Sequence, residues 1–413
     1  MKHFLAYGNS DQASFRDLEV RGAFDYMTVP GTIAAYYPDA TAAFVLTSQL
    51  DYVIEPRTPL FQGHIESPRA SHFALARWHG VAVENRIGDP EDPRPVDFSP
   101  DVYTAEAISE MVSRLAEEQS GYGRRASEIE EKLDRYRTLL AEALNEPLAE
   151  AAHQEARPPV FQLAPYFAVE SDTDPWWDIC TQIWDLCARP DLNLSPVVAV
   201  GSSGLLGPAL AAAVTAASPD TMFYWVTGMD ERRATESELT DVISAFQIPG
   251  ISEVEVVNLY GSFFSIALGK AGLWGFNNGL GYSESRDWPD LPSTGAAPPR
   301  YYIRALHLFA APTTAQLIVD ADPRLQCDCE VCTPHSRNAI ARLQFQYHEI
   351  KKHFALARKW EVDFANEHSS TEIAEHLREA ADILEGPVTR TVPRRLVPDA
   401  AYLRRWANTI GSL

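Results

Sequence analysis

Three of the chain's five cysteines fall within six positions, in the run CDCEVC at Cys327, Cys329 and Cys332. Thiolates separated by one and two residues can converge on one ion from a tight turn. The chemistry this spacing suits is metal binding, with zinc the ion that thiolate-rich tetrahedral sites favour. Three thiolates leave one position to fill. The downstream histidines that could fill it are His335, His348 and His353, the last two facing different sides of one expected helix. A site closed by four protein ligands has no place for water, so the expected zinc is structural, not catalytic. The remaining thiols, Cys180 and Cys187, share an amphipathic pattern with Trp177 and Trp184 and read as core.

Catalysis must then come from elsewhere, and the candidates are carboxylates at the ends of apolar runs. Glu55 ends DYVIE and is followed by Pro56 and Arg57. Asp230 and Glu231 follow FYWVTGM, while Asp320 and Asp322 lie in QLIVDADP. Groups able to read a flat heterocycle are Gln162 in VFQLAPYF, Asn258 and Gly261 in VNLYGSFFS, and Asn277, Asn278 and Gly279 in GFNNGLGYSESR. Amides match donor–acceptor edges and glycine permits close backbone approach. Glu284 and Arg286 in the same loop are expected ligand contacts, and Tyr260, Phe263, Phe264 and Tyr282 could stack on a base. Residues 295–302 read as a lid. GSSGLLG (201–207) could grip a phosphate at a helix N-terminus. GxxxxGK[ST], GxGxxG and HExxH do not occur, which argues against the nucleotide-binding and zinc-hydrolase classes they mark.

The elements that must position these groups are short apolar runs alternating with helical stretches. Such runs occur at 26–29, 52–54, 160–163, 196–200, 222–226, 254–259, 272–276 and 301–309. Their near-continuous hydrophobicity suits strands buried on both faces. Eight runs with interleaved helices predict an α/β fold, a (β/α)8 TIM-like barrel with function at the strand C-terminal ends; an open doubly wound sheet is the structural rival. Helices are expected at 207–218, in ESELTDVISAF, and from 104 to 156, where Leu133, Tyr136, Leu140 and Leu144 repeat at helical spacing. PEDPRPVDFSP before that segment reads as a linker. A helical block follows at 336–366, then a helix from Ser369 with Glu372 completing a capping box. The expected organisation is barrel strands over 1–101, a helical insertion over 102–157, the remaining barrel over 158–322, a zinc-binding subdomain over 323–366 and a helical tail over 367–413.

A net charge of −22 argues against coating nucleic acid through the overall field. Five arginines between Arg390 and Arg405 still offer a local basic groove. No apolar run approaches the ~18 residues of a membrane span, and the N-terminus lacks a secretory pattern. A soluble cytoplasmic protein is expected, in a compartment reducing enough for thiolate ligands.

CDCEVCTPHSRNAIARL resembles the zinc-binding segment of tRNA-guanine transglycosylases. That family shows CxCxxC, a Ser-Arg about four residues on, a helix of IxxL type and a late histidine. Ser336 and Arg337 sit at that offset, and Ile340 and Leu343 continue the pattern. The resemblance implies His353 as the fourth ligand, with a short deletion before it, and a (β/α)8 barrel with a late zinc subdomain. It also implies exchange of a guanine in tRNA or DNA for a 7-deazaguanine, through a carboxylate nucleophile at the anomeric carbon and a second carboxylate for proton transfer. Glu55, Asp230 and Asp320 are the candidates for those roles. Met27 to Thr32 faintly echoes the family's early barrel strand. The family's Asp-Ser-Gly-Gly-Phe-Gln motif, its aspartate strand with a Pro-Thr-Arg loop, and its basic C-terminal RNA module are absent. The pattern is that of a divergent branch, similar to relatives that modify DNA. The alternatives are a non-catalytic scaffold for a protein or nucleic-acid partner, in a homo- or hetero-oligomer, or a nucleoside-directed hydrolase.

Overall fold

A computed structural model of the protein describes residues 1–8, 11–20, 22–144, 157–281, 284–288, 298–333 and 339–413. Ten short strands, rich in β-branched and aromatic residues, form one parallel sheet. In chain order they are β1 (Lys2–Ala6), β2 (Tyr26–Pro30), β3 (Tyr52–Glu55), β6 (Phe161–Leu163), β7 (Ala168–Val169), β8 (Leu194–Ser195), β9 (Val197–Val200), β10 (Thr221–Val226), β11 (Glu255–Asn258) and β12 (Gly275–Gly279). Their order across the sheet is β7-β9-β10-β11-β12-β1-β2-β3-β6-β8, and every pair is parallel. Two antiparallel pairs lie outside it: β4 (Gly63–Ile65) with β5 (Val96–Phe98), and β13 (Tyr301–Ile303) with β14 (Leu308–Ala310).

The sheet curls, and aromatic side chains fill its inner face. Phe4 of β1 stacks on Tyr26 of β2 at 4.6 Å and meets Phe223 of β10 edge-on at 5.9 Å. Phe161 of β6 reaches Tyr26, Phe223 and Trp274 at 6.0, 6.1 and 6.0 Å. Such offset and edge contacts add specific attraction to a large burial of apolar area.

Several expectations are corrected. KHFLA lies outside the expected strand runs, yet it forms β1 near the middle of the sheet. The run at 301–309, expected as a barrel strand, is instead the β13–β14 pair. PEDPRPVDFSP holds β5 and is more than a linker. The strand expected at 272–276 begins at Gly275, because the preceding helical turn runs to Gly272, whose φ of +106° suits only glycine.

The helices are closer to expectation. Glu236–Phe246 spans ESELTDVISAF, with Thr235 and Glu238 forming a capping box. Ser203–Ala217 starts earlier than expected, and Ala105–Leu144 supplies the long helix. Residues 145–156 and the side chains of Leu133, Tyr136, Leu140 and Leu144 lie outside the described residues. Ser369 and Glu372 cap Ser370–Ile383, which packs against Ala401–Ile410. No helix among the described residues is long and apolar enough to cross a membrane.

Candidate metal centre and mouth pocket

Cys327, Cys329, Cys332 and His353 present ligand atoms that all lie within 4.8 Å of one another. The turn that gathers the thiols is local: Cys332 and Thr333 both donate backbone N–H bonds of 2.9 Å to the Cys329 carbonyl. The histidine comes from the helix Tyr347–Glu367, where it is fully buried. Its Nε2–H donates to the Tyr302 carbonyl at 2.7 Å, so its tautomer is set and the Nδ1 lone pair faces the sulfurs. Nδ1 lies 3.4 Å from both Cys329 and Cys332 Sγ. Tyr301 stacks on the imidazole at 4.2 Å and its hydroxyl lies 3.1 Å from Cys332 Sγ. Hydrogen bonds from Cys327 and Cys332 hold the pKa of the Cys329 thiol well below the usual thiol range, while that of Cys332 is raised in return. Three soft sulfurs and one imidazole whose far nitrogen is anchored to a carbonyl suit a metal ion and are compatible with zinc. His348 is elsewhere, 2.9 Å from Ser14 Oγ and 3.3 Å from Asp17. His335 and the pair Ser336 and Arg337 lie outside the described residues.

A second site opens where β1, β2, β3 and β12 end. There a cavity of about 380 Å³ is lined by Tyr7, Asp11, Thr28, Glu55, Arg57, Tyr260, Asn277, Gly279 and Arg286, among others. Its volume falls in the range of roughly 300–1,000 Å³ usual for small-molecule sites. Glu55, the last residue of β3, is buried. Its Oε1 accepts the Arg57 backbone N–H at 2.8 Å and the Tyr166 hydroxyl at 2.5 Å, and its Oε2 pairs with the Arg57 guanidinium. Arg57 has φ of +57°, a backbone that its bond to the Glu55 carboxylate helps to hold. Gly31, just past β2, is needed here for packing, since a Cβ would stand 2.9 Å from the Glu55 carbonyl.

Asn277 points inward from β12. Its Nδ2 donates to the Leu259 carbonyl at 2.9 Å, which fixes the amide orientation and leaves buried Oδ1 without a protein partner. Thr28 Oγ1, buried on β2, is likewise without one. Arg286 lies over the Tyr260 ring at 5.9 Å. Asp11 at the rim pairs with Lys351, two residues from His353 on the metal-site helix.

The structure thus brings Glu55, Asn277, Gly279, Tyr260 and Arg286 into one pocket and places the other sequence candidates outside it. Asp230 pairs with Arg232 and Arg233 beyond β10. Asp320 is exposed on the helix Pro312–Ala321, where Gln316 donates to it at 3.0 Å. Gln162 accepts from Ser120 at 3.2 Å, because Phe161 beside it takes the inner face and strand side chains alternate. Asn258 holds Ser265 Oγ and the Tyr260 N–H, and Gly261 donates to the Asn277 carbonyl. Asn278 faces outward to His3 at 3.2 Å. Glu284 is buried between Arg232 at 2.9 Å and Arg358. Glu231 is held by the backbone and hydroxyls of Ser262 and Ser265, and burial raises its pKa. Asp322 caps the turn at Pro323 and pairs with Arg324. Phe263 stacks on His307 and Phe264 lies 6.3 Å from Trp406, so both are core. Tyr282 lies outside the described residues, as do residues 295–297 of the expected lid, while Tyr301 and Tyr302 are buried in β13. The glycine run 201–207 has the Glu170 carboxylate packed against Gly201, where a Cβ would collide with it.

Sequence reasoning did not single out Thr28, Tyr166, Asp11 or Lys351. Thr28 carried a readable signal, the one aliphatic hydroxyl inside the apolar run YMTVP. Asp11 and Lys351 carried none, because their pairing spans almost the whole chain. Compared with known proteins, the chain matches no family model and no curated sequence.

Proposed function

We propose that the protein is a guanine transglycosylase-like enzyme: a closed (β/α)8 barrel whose mouth pocket exchanges a guanine in tRNA or DNA for a 7-deazaguanine, braced by a structural zinc. Four residues separate β6 from β7, and Pro196 alone separates β8 from β9. Joining each pair turns ten strands into eight. The pairings β6–β8 and β7–β9 then close the ring between β3 and β10. Contacts of Phe4 and Phe161 with Phe223 across the interior favour that closure. A pocket at the C-terminal ends of parallel strands is where barrel enzymes work.

The observation that carries the reading is Glu55: a buried carboxylate at a strand end, oriented by Arg57 and Tyr166, lining the same cavity as Asn277, whose buried Oδ1 lacks a protein partner. In the proposed exchange a Glu55 oxygen bonds to the ribose C1′. The C1′–N9 bond breaks, its electron pair leaves with guanine, and the base takes up a proton from solvent water. The incoming base gives its N9 proton back to solvent, attacks C1′ and expels Glu55. The Asn277 carbonyl oxygen accepts an N–H from the base edge.

A specific observation favours a second reading, a scaffold that binds a base or nucleic acid without turnover. The carboxylates among the described lining residues are Glu55 and Asp11, and each is already paired with a cation. The test is incorporation of radiolabelled guanine into tRNA and into DNA by zinc-loaded protein and by Glu55→Gln. Incorporation that vanishes in Glu55→Gln supports the enzyme. Base binding without incorporation supports the scaffold, and release of free base without incorporation marks a hydrolase.

A further inference from the structure

Strand β13 packs against the helix Tyr347–Glu367, and two of its consecutive residues reach the metal centre. The Tyr302 carbonyl accepts the His353 Nε2–H at 2.7 Å. Successive strand side chains point to opposite faces, so the Tyr302 hydroxyl goes to Glu361 while the Tyr301 side chain goes to the ligands. The Tyr301 ring lies flat on the His353 imidazole, with centroids 4.2 Å apart and planes 9° from parallel. Its hydroxyl lies 3.1 Å from Cys332 Sγ, and the whole residue is buried. Tyr301 therefore touches one sulfur ligand and the one nitrogen ligand at the same time.

Both contacts acquire a direction when the four ligands hold an ion. A thiolate on a metal carries no proton, so the hydroxyl is the donor and Cys332 Sγ the acceptor. Hydrogen bonds to ionised partners are the strong kind. Such a bond draws charge from the sulfur lone pairs and makes the sulfur a poorer nucleophile toward anything but the metal. The imidazole gives electron density to the ion, and an electron-poor ring is attracted to the face of a tyrosine. Phenylalanine would keep this stack and lose the donor.

We propose that Tyr301 is a positioning residue of the metal centre: its hydroxyl donates to the Cys332 thiolate and its ring bears on the His353 imidazole, so that the ion is held longer and the sulfur is shielded from electrophiles. This role needs the metal centre of the proposed function and does not need base exchange.

Full-length protein loaded with zinc or with cobalt(II) tests it in Tyr301→Phe and Tyr301→Leu. Tyr402→Phe is the control, since it also loses a buried hydroxyl bond, to the Leu306 carbonyl. Folding of each variant is checked by thermal unfolding. In Tyr301→Phe the zinc affinity, read by competition with a chelator, should fall about tenfold, the size of one bond to an ionised partner. The sulfur-to-cobalt charge-transfer band should move to lower energy, because the sulfur lone pairs have lost their donor. Iodoacetamide should also displace zinc faster. The sulfur forms the S–C bond, iodide leaves with the C–I electron pair, and the thioether holds the ion poorly. Tyr301→Leu, which loses the stack as well, should weaken zinc by about 10–100-fold. Tyr402→Phe should lower the melting temperature and leave the band and the affinity in place. An unchanged band and affinity in Tyr301→Phe overturn the role of Tyr301, as does the same shift in Tyr402→Phe. Wild-type protein that takes up no ion overturns it together with the metal centre, whereas failure of base exchange in zinc-loaded protein sinks the transglycosylase reading alone.

Discussion

The fully buried guanidinium of Arg358 closes on the carboxylate of Glu284, and its other edge meets Glu361 at 2.5 Å. Glu284 lies two residues before Arg286 of the pocket, and Arg358 lies five residues after His353 of the metal site. One helix, Tyr347–Glu367, therefore carries the metal-site histidine and the anchor of the pocket loop. It also carries Lys351, which grips Asp11 at the rim. Glu361 adds His307 at 2.5 Å and the Tyr302 hydroxyl at 2.7 Å, so the buried charges form a network.

Arg358→Met tests that network. Removing the shared cation leaves buried Glu361 without its guanidinium and buried Glu284 with Arg232 alone, a change that costs about 3–5 kcal/mol in comparable buried pairs. Urea unfolding should show a loss of that size. Adding Glu284→Gln to the variant should recover part of it, because one of the two buried carboxylates is gone. A loss under about 1 kcal/mol, the range of an exposed ion pair, would contradict the network's role.

Three buried histidines and one half-buried one give the stability a pH dependence with a definite sign. Burial lowers His3, His72 and His79 to about 4 and His376 to about 3. The unfolded chain protonates histidine near 6.5, so unfolding takes up protons below that value. The stabilising contribution is complete above about 6.5 and falls away as the pH drops toward 4. Glu361 continues the trend lower. Burial pushes its pKa up, but Arg358 and His307 outweigh burial and hold it below the usual range. Glu231, raised by burial, acts in the opposite sense. For a fully buried histidine the slope approaches about 1.4 kcal/mol per pH unit near pH 5. His3→Gln and His79→Gln should each flatten the slope of unfolding free energy between pH 6.5 and 5. An unchanged slope in both variants would refute the assignment.

The metal motif and most strands were legible because their signals are local. CDCEVC needs only six positions, and runs such as MFYWV carry strand character in themselves. β1 is not legible because KHFLA begins with two polar residues; what makes it a strand is pairing with β2 and β12 on either side. Glu55, Asn277 and Arg286 were legible as polar residues at the ends of apolar runs. Glu284 had the same signal and a different fate, since its partners Arg232 and Arg358 lie far off in the chain. Which polar residue faces the cavity and which faces a buried arginine is decided by tertiary packing, which a single run does not contain.

Removal of the metal should be felt at the pocket. Cys327→Ser or Cys332→Ser is expected to lose stoichiometric zinc by elemental analysis and to lower the melting temperature, since a site formed by folding returns its binding energy as stability. His348→Ala should retain the ion, because that side chain serves Ser14 and Asp17. Without the ion, His353 loses a tether and the first turns of Tyr347–Glu367 should exchange amide hydrogens faster. Lys351→Met separates the two effects. It keeps the ligands and removes the cation from Asp11, so zinc content should stay while the pocket rim loosens. A double-mutant cycle of Lys351→Met with Asp11→Asn should give a coupling of about 0.5–3 kcal/mol in stability, as contacting residues do. Additive effects, or full zinc retained after either cysteine change, would show that the metal turn and the pocket are not joined as the helix suggests.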